Sequence, residues 1–275
     1  MNYGGKGIKQ KKKLLNSATT KLGTKLGIFF IKLALVGIIA LVVAGSCIVF
    51  GSFQGIIENA PDIASINVSP EGFATKIYDS DENEIQTLSS AGANRTYVTL
   101  DQIPKDLQHA FIAIEDERFY EHNGIDMRGI LRAASITLSS GEMSQGASTI
   151  TQQLARNIFL TQEVTWQRKI EEIFIAWGLE KKYSKEQILE FYLNNIYFGN
   201  GYYGVEAAAK GYFNKSVSQL TLSEQAFIAA IPNNPSKYNP LTGFDKTLKR
   251  RDLILQQMYE ADYISYVDYY MAKGE

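Results

Sequence analysis

The sequence predicts a mostly α-helical protein with one N-terminal membrane-spanning helix and a small β-hairpin. Three observations carry that class. The stretch Leu26 to Phe50 is 25 residues long with Lys32 as its sole charge, and a helix of about 20 apolar residues crosses a bilayer's hydrocarbon core. From Ile103 onward, apolar residues recur at helical spacing almost throughout. Two short runs, Thr75 to Tyr78 and Glu84 to Leu88, flank Asp79-Ser80-Asp81-Glu82-Asn83 and read as a hairpin.

The N-terminal helix follows from charge as well as from hydropathy. With 45% hydrophobic and 21% charged residues, the 275-residue chain has a globular make-up and can bury a core. Its net charge of -1 hides an asymmetry: eight lysines and no acid precede Glu58, so the remainder carries -9. Lys32 lies near the lysine-rich end of the apolar stretch and can snorkel back to the interface. The lysines from Lys9 to Lys25 place the N-terminus in the cytoplasm and everything after Phe50 outside. A cleaved signal peptide has a shorter apolar core, of about 7–15 residues, and a buried core helix is rarely this apolar on every side. Cys47 is the only cysteine, so no intramolecular disulfide forms. Its setting, Ala44-Gly45-Ser46-Cys47, loosely resembles a lipoprotein cleavage box, but a small residue inside the span explains it more simply.

The expected organisation is a basic cytoplasmic tail (1–25), a transmembrane helix (26–50), a tether (51–72), a folded domain (73–245), and a C-terminal helix with the start of a linker (246–275). Pro104 marks a helix start, and Leu107, Ala110, Phe111 and Ile114 form an apolar face running into Glu115. Further helices are expected at about 126–140, 148–159, 164–183, 185–197, 202–212, 221–231 and 245–260.

Four constellations could carry chemistry. In the first, Glu115 and Asp116 end an apolar run, with Phe119 four residues on and His122 beyond. A carboxylate beside apolar groups gains the basicity that a general base needs, although acids at a helix end in water are common. No HExxH spacing occurs, and His109 and His122 are the only histidines, which disfavours a metal cluster. In the second, helical spacing stacks Ser148, Gln152 and Arg156 in one row with Thr149, Gln153 and Asn157 beside it. This polar strip starts at a helix N-terminus, where free N–H groups favour anions. In the third, Arg168, Lys169 and Glu172 share a helix face, either as a salt bridge or as cations for an anionic ligand tuned by Glu172. The fourth, Ile188 to Gly204, is rich in aromatics and glycines. Gly199, Gly201 and Gly204 follow a helical stretch rather than a strand, so tight turning accounts for them better than a phosphate loop.

In order and wording, the blocks EDERFYEHNGID, GASTITQQLARN, RKIEE, ILEFYLNNIYFGNGYYGVEAAAKGYF and LSEQAFIAAIPNNPSKYNP resemble the five successive motifs of the peptidoglycan glycosyltransferases. This is glycosyltransferase family 51, found in class A penicillin-binding proteins and monofunctional transglycosylases. The resemblance covers roughly 73 to 258. It implies a lysozyme-like, two-lobed α-helical glycosyltransferase domain with a cleft between the lobes. It implies that Glu115 is the general base and that Glu172, rather than Glu171, assists the leaving pyrophosphate, directly or through a divalent cation (Mg or Mn) that it would help to hold. Arg156, Arg168 and Lys169 would lie near that pyrophosphate. Asp116, Phe119, His122, Ser148, Thr149, Gln152, Gln153 and Asn157 would bind substrate. Position 156 is often lysine in the family, and arginine keeps the charge while adding bidentate phosphate binding. The implied partners are lipid II and the growing glycan strand, membrane lipid, and other cell-wall synthesis and division proteins, with no nucleic acid. The implied location is the bacterial cell membrane, single-pass, with the catalytic domain extracellular.

The run Arg250 to Met258 followed by Ile264-Ser265 looks like the exit from a class A glycosyltransferase domain. No SxxK serine motif is present, so the sequence reads as the front of a longer protein lacking its transpeptidase domain. Two other functions fit a similar outline: a lytic glycosidase on the same fold, and a non-catalytic cell-wall scaffold. The cationic trio argues against the first, and intact Glu115 and Glu172 against the second.

Overall fold

The apolar N-terminal stretch lies inside one long helix. A computed structural model describes residues 5–15, 18–58, 68, 75–81, 84–88, 95–140, 148–159 and 165–275. The chain divides into two compact units, Met1–Asn59 and Ala60–Glu275. The first holds the lysine-rich α1 (Gly5–Leu15) and α2 (Ala18–Glu58). Within α2, Lys25–Cys47 has a mean hydropathy of 2.8 and no part buried in protein. At 1.5 Å per residue its 23 residues extend about 35 Å, enough for a hydrocarbon core of about 30 Å. Among the described residues this is the one helix long and apolar enough to cross a membrane. Ser46 donates to the carbonyl of Val42 at 2.8 Å, which satisfies its hydroxyl within the helix. Since α2 continues to Glu58, the expected tether begins as helix; of its later part, 59–67 and 69–72 lie outside the described residues.

The second unit opens with an antiparallel hairpin, β1 (Thr75–Tyr78) and β2 (Glu84–Leu88), in which Thr75 faces Leu88 and Ile77 faces Gln86. Its ends match the expected runs, and Asp79 accepts from the Asp81 amide at 2.9 Å to start the turn. The helices follow: α3 (Lys105–Glu115), α4 (Met127–Ser140), α5 (Ile150–Phe159), α6 (Trp166–Lys182), α7 (Lys185–Asn195), α8 (Val205–Phe213), α9 (Leu222–Ala230), α10 (Phe244–Glu260) and α11 (Tyr266–Gly274). Their limits fall within about three residues of those read from periodicity. Side-chain caps set several starts: Thr165, Ser184, Thr221 and Ser265 each accept from a first-turn amide, and Gln187 and Glu224 complete capping boxes.

Two packing groups position the site. α3 lies against α9 and α10, while α5 lies against α6 and α7. Leu107, Ala110 and Phe111 fill the expected apolar face of α3, and Phe111 meets Tyr192 and Phe198 edge to face. Each such large side chain contributes about 1.5–3 kcal/mol of burial. The end of the chain departs from expectation. α10 begins at Phe244, packs on α3 and α9, and is followed by α11 rather than by a linker. Arg251, buried, bonds Ser223 of α9 at 2.9 Å and the Lys273 carbonyl at 3.2 Å. Residues 246–275 therefore belong to the same unit as the helices before them, because their apolar face completes its core.

Candidate active site

Glu115 is the last residue of α3, with a side chain only 10% exposed. Its Oε2 accepts from Gln153 Nε2 at 2.9 Å, and its Oε1 accepts from Arg250 Nη2 at 3.3 Å. Gln153 is held in turn by the Tyr192 hydroxyl, which donates to its Oε1 at 3.2 Å. Burial, and then the negative charge of Glu115, push the Tyr192 phenol well above its usual range, so it remains a donor. Helices α3, α5, α7 and α10 thus converge on one carboxylate. A carboxylate offers about four lone-pair sites, so each oxygen of Glu115 keeps room for a proton from a ligand.

The neighbouring Asp116 has a different job. It leaves the helix with an extended φ of -161° and is buried. Its Oδ2 accepts from the Ile150 amide at 2.9 Å, and its carboxylate meets His122 Nε2 at 2.8 Å. The Gly124 amide donates to His122 Nδ1 at 3.1 Å, leaving Nε2 as the protonated nitrogen that faces Asp116. Thr149 caps α5 through a reciprocal pair with Gln152, and its hydroxyl donates to the Gly124 carbonyl at 2.8 Å. Gly124 has a φ of +84°, and a Cβ there would lie 3.1 Å from the Ala176 carbonyl oxygen, so glycine suits this turn best. The N-terminus of α5, expected to attract a ligand's anion, is thus occupied by the protein's own Asp116.

The cations gather on α6. Glu172 is fully buried; Arg168 Nη1 donates to it at 2.9 Å, and Lys169 Nζ forms a short bond to its other oxygen. Lys169 also donates to Ser148 Oγ at 2.8 Å and Gln152 Oε1 at 3.3 Å. Ser148 lines a cavity of about 210 Å³ together with Glu115, Asp116, Thr149, Arg132 and Gln257. One polar wall therefore joins Glu115 to the cationic cluster. A second cavity of about 290 Å³ shares Glu117, Arg132 and Gln257 with the first and continues to Glu260. A third cavity, of about 460 Å³, is an apolar groove around Tyr212, Phe227 and Phe244 that includes none of the site residues read from the sequence.

Most of those residues meet here, but not all in the expected role. Phe119 is fully buried in the core, so it packs beneath the site instead of touching substrate; Lys185 Nζ sits 4.4 Å from its ring centroid. His122 acts on Asp116. Arg156 is half-buried and its charge reaches the Tyr192 phenol; Asn157 is exposed. Gly146 and Ala147, which open the second block, lie outside the described residues. Sequence reasoning did not place Arg250, Tyr192 or Gln257 in the site. Arg250 and Gln257 stand in the stretch read as a domain exit, and only packing of α10 on α3 brings them to Glu115. The available signal was the amphipathic pattern of α10 itself, with polar side chains on its inward stripe.

A divalent cation does not fit Glu172 as placed. Both of its oxygens are taken by cationic donors, whereas magnesium or manganese needs oxygen ligands free of competing positive charge. Among the described residues no group of three His, Cys, Asp or Glu could hold a metal.

Fold and site together define the class: a helical transglycosylase domain, and the chain belongs to the Transglycosylase family, whose model matches residues 81–259. Among its relatives, Penicillin-binding protein 1A of Escherichia coli (strain K12) is 46% identical over 236 residues, covering 86% of this chain and 28% of that protein. Penicillin-binding protein 1F of Bacillus subtilis (strain 168) is 48% identical over 201 residues, covering 73% and 28%. A crystal structure of Penicillin-Binding Protein 1A from Haemophilus influenzae aligns with 74% of this chain and 20% of its own, at 27% identity and a TM-score of 0.41. The chain thus spans 28% of the length of these two curated relatives.

Proposed function

We propose that the protein is a peptidoglycan glycosyltransferase that polymerises lipid II into glycan strands. The Glu115 carboxylate takes the proton from the 4-hydroxyl of the acceptor's N-acetylglucosamine. That oxygen attacks C1 of the donor's N-acetylmuramic acid from the face opposite the leaving group. The bond from C1 to the pyrophosphate oxygen breaks, inverting C1 and releasing undecaprenyl pyrophosphate. The observation that carries this reading is the pairing of one amide- and arginine-held carboxylate with a separate cationic cluster across a single polar wall. A pyrophosphate departs with its own charge, so Arg168 and Lys169, with Arg156 nearby on α5, can stabilise it without an acid. Glu172 holds two of these cations in place. A divalent cation, magnesium or manganese, would add positive charge against the departing pyrophosphate if one were bound.

A lytic glycosidase needs a carboxylic acid to protonate the leaving oxygen, and the other acids lining the cavity do not suit that role. Asp116 is engaged by His122 and the Ile150 amide, and Glu117 by Arg118 and Arg132. For Asp126, burial is the largest single influence and raises the pKa, but the hydrogen bonds from Arg118 and the Gly129 amide, with the charges of Arg118 and His122, together outweigh it and the net shift is downward. The apolar span of α2 supports an anchor in the bacterial cell membrane, with the lysine-rich N-terminus cytoplasmic and the catalytic unit outside, where membrane lipid and other cell-wall synthesis and division proteins are its partners.

Polymerisation of labelled lipid II in detergent tests the reading, with Glu115→Gln alongside. Strands from the parent, and a loss of at least about 100-fold in the variant, are expected. Equal rates in both would remove Glu115 as the base.

A further inference from the structure

α10 faces the cleft with one stripe of side chains. Arg250 reaches Glu115, and Gln257, seven residues on, lines both the cavity at Glu115 and the one that continues from it. Ala261, just after the helix, borders the second cavity. Gln257 therefore stands at the junction between the two compartments. Its Oε1 is buried and has no hydrogen-bond partner. Its backbone carbonyl is used normally, accepting from the Ala261 amide at 3.0 Å.

A buried acceptor left unmatched is costly, and a methionine or leucine would fill the same space without that cost. The three residues just around it, Ile254, Leu255 and Met258, are apolar and fully buried, so the helix does not need a polar group here for packing. The neighbouring cleft groups are Glu117, Glu260 and Arg132. Glu117 is tied to Arg118 and Arg132, so the Gln257 carbonyl and Glu260 are the acceptors this wall leaves open, which suits a ligand with N–H and O–H donors.

We infer that Gln257 is a substrate-contact residue. Its side-chain carbonyl accepts a hydrogen bond from an acetamido N–H or a hydroxyl of the acceptor sugar, whose two rings span the two compartments with the reacting hydroxyl at Glu115. The inference rests on the transferase reading above. Gln257 takes no part in bond making; it sets how firmly the acceptor is held and how well it rejects sugars lacking the donor.

The test uses the full chain in detergent with labelled lipid II, comparing the parent with Gln257→Leu and Gln257→Met. Parent activity, and its loss in Glu115→Gln, first establish the transferase reading separately. Both Gln257 variants are expected to keep or raise the melting temperature, since an unmatched buried carbonyl is removed. They should raise the KM for lipid II about 3- to 10-fold with kcat within about twofold, the size of one neutral hydrogen bond. An acceptor with hydrogen in place of the acetamido group then tells the two donors apart. If that analogue removes the difference between parent and variants, the acetamido N–H is the donor; if the difference persists, it is a hydroxyl. Unchanged KM in both variants would overturn the inference, as would a drop in melting temperature with kcat and KM falling together.

Discussion

Glu172→Gln is the substitution with the most to lose at this site. The side chain is fully buried and bound by Arg168 at 2.9 Å and by Lys169. The amide keeps the shape but loses the charge and one acceptor oxygen. A hydrogen bond to a charged group is worth about 1.5–3 kcal/mol when buried, which applies to Arg168, whose side chain is 13% exposed. Lys169 is 40% exposed, so its share is screened and falls to about 0–1 kcal/mol. The expected loss is about 1.5–4 kcal/mol. For a unit of this size, about 2–4 °C of melting temperature follows each kcal/mol, so the melt should fall by about 3–16 °C. Thermal melts by circular dichroism read this directly, and a double-mutant cycle with Arg168→Gln isolates the pair. The coupling should exceed about 1 kcal/mol. Polymerisation should fall further than stability explains, by at least about 10-fold at a temperature where the variant is folded, because Arg168 and Lys169 lose the group that aims them. A melt within about 1 °C of the parent, or zero coupling to Arg168, would refute the view that this triad is a single electrostatic unit.

Two further outcomes are expected. Gln153→Leu removes the donor that fixes Glu115, so the polymerisation rate should drop about 10- to 100-fold, and the melt should fall as well because the buried Tyr192 hydroxyl loses its acceptor at a cost of about 1–3 kcal/mol; an unchanged rate would show that Arg250 alone orients Glu115. His109, stacked on Tyr263 with ring centroids 4.2 Å apart, has its pKa lowered by burial, with Asp106 opposing that shift and Lys105 adding to it. The unfolded chain then binds the proton first, so stability is lost as pH falls below about 6.5 toward the folded value; denaturant midpoints at about pH 7 and pH 5 should differ less in His109→Gln than in the parent.

Much of this protein is legible in one dimension. Hydropathy and charge determine the N-terminal helix, since a stretch of apolar residues with lysines on one side has few places to go except a bilayer. Three-and-four spacing determines the helices from α3 to α10, because burying one face is what makes such helices form. Local caps such as Thr149 with Gln152 and Ser184 with Gln187 are likewise written in adjacent residues. Glu115, Lys169 and Glu172 could be singled out because their blocks are contiguous.

Tertiary structure alone decided which polar residues face the cleft and which serve the fold. Asp116 and Glu115 are neighbours of the same type, yet one is spent on the N-terminus of α5 and the other faces the cleft, because the chain leaves the helix between them. Phe119 is an aromatic in the same block as Glu115 that the core takes entirely. Arg250 and Gln257 come from more than 130 residues beyond Glu115, and no local pattern measures that approach. Periodicity reports which face of a helix is buried; what that face meets depends on how α3, α9 and α10 pack, and packing is a property of the whole core.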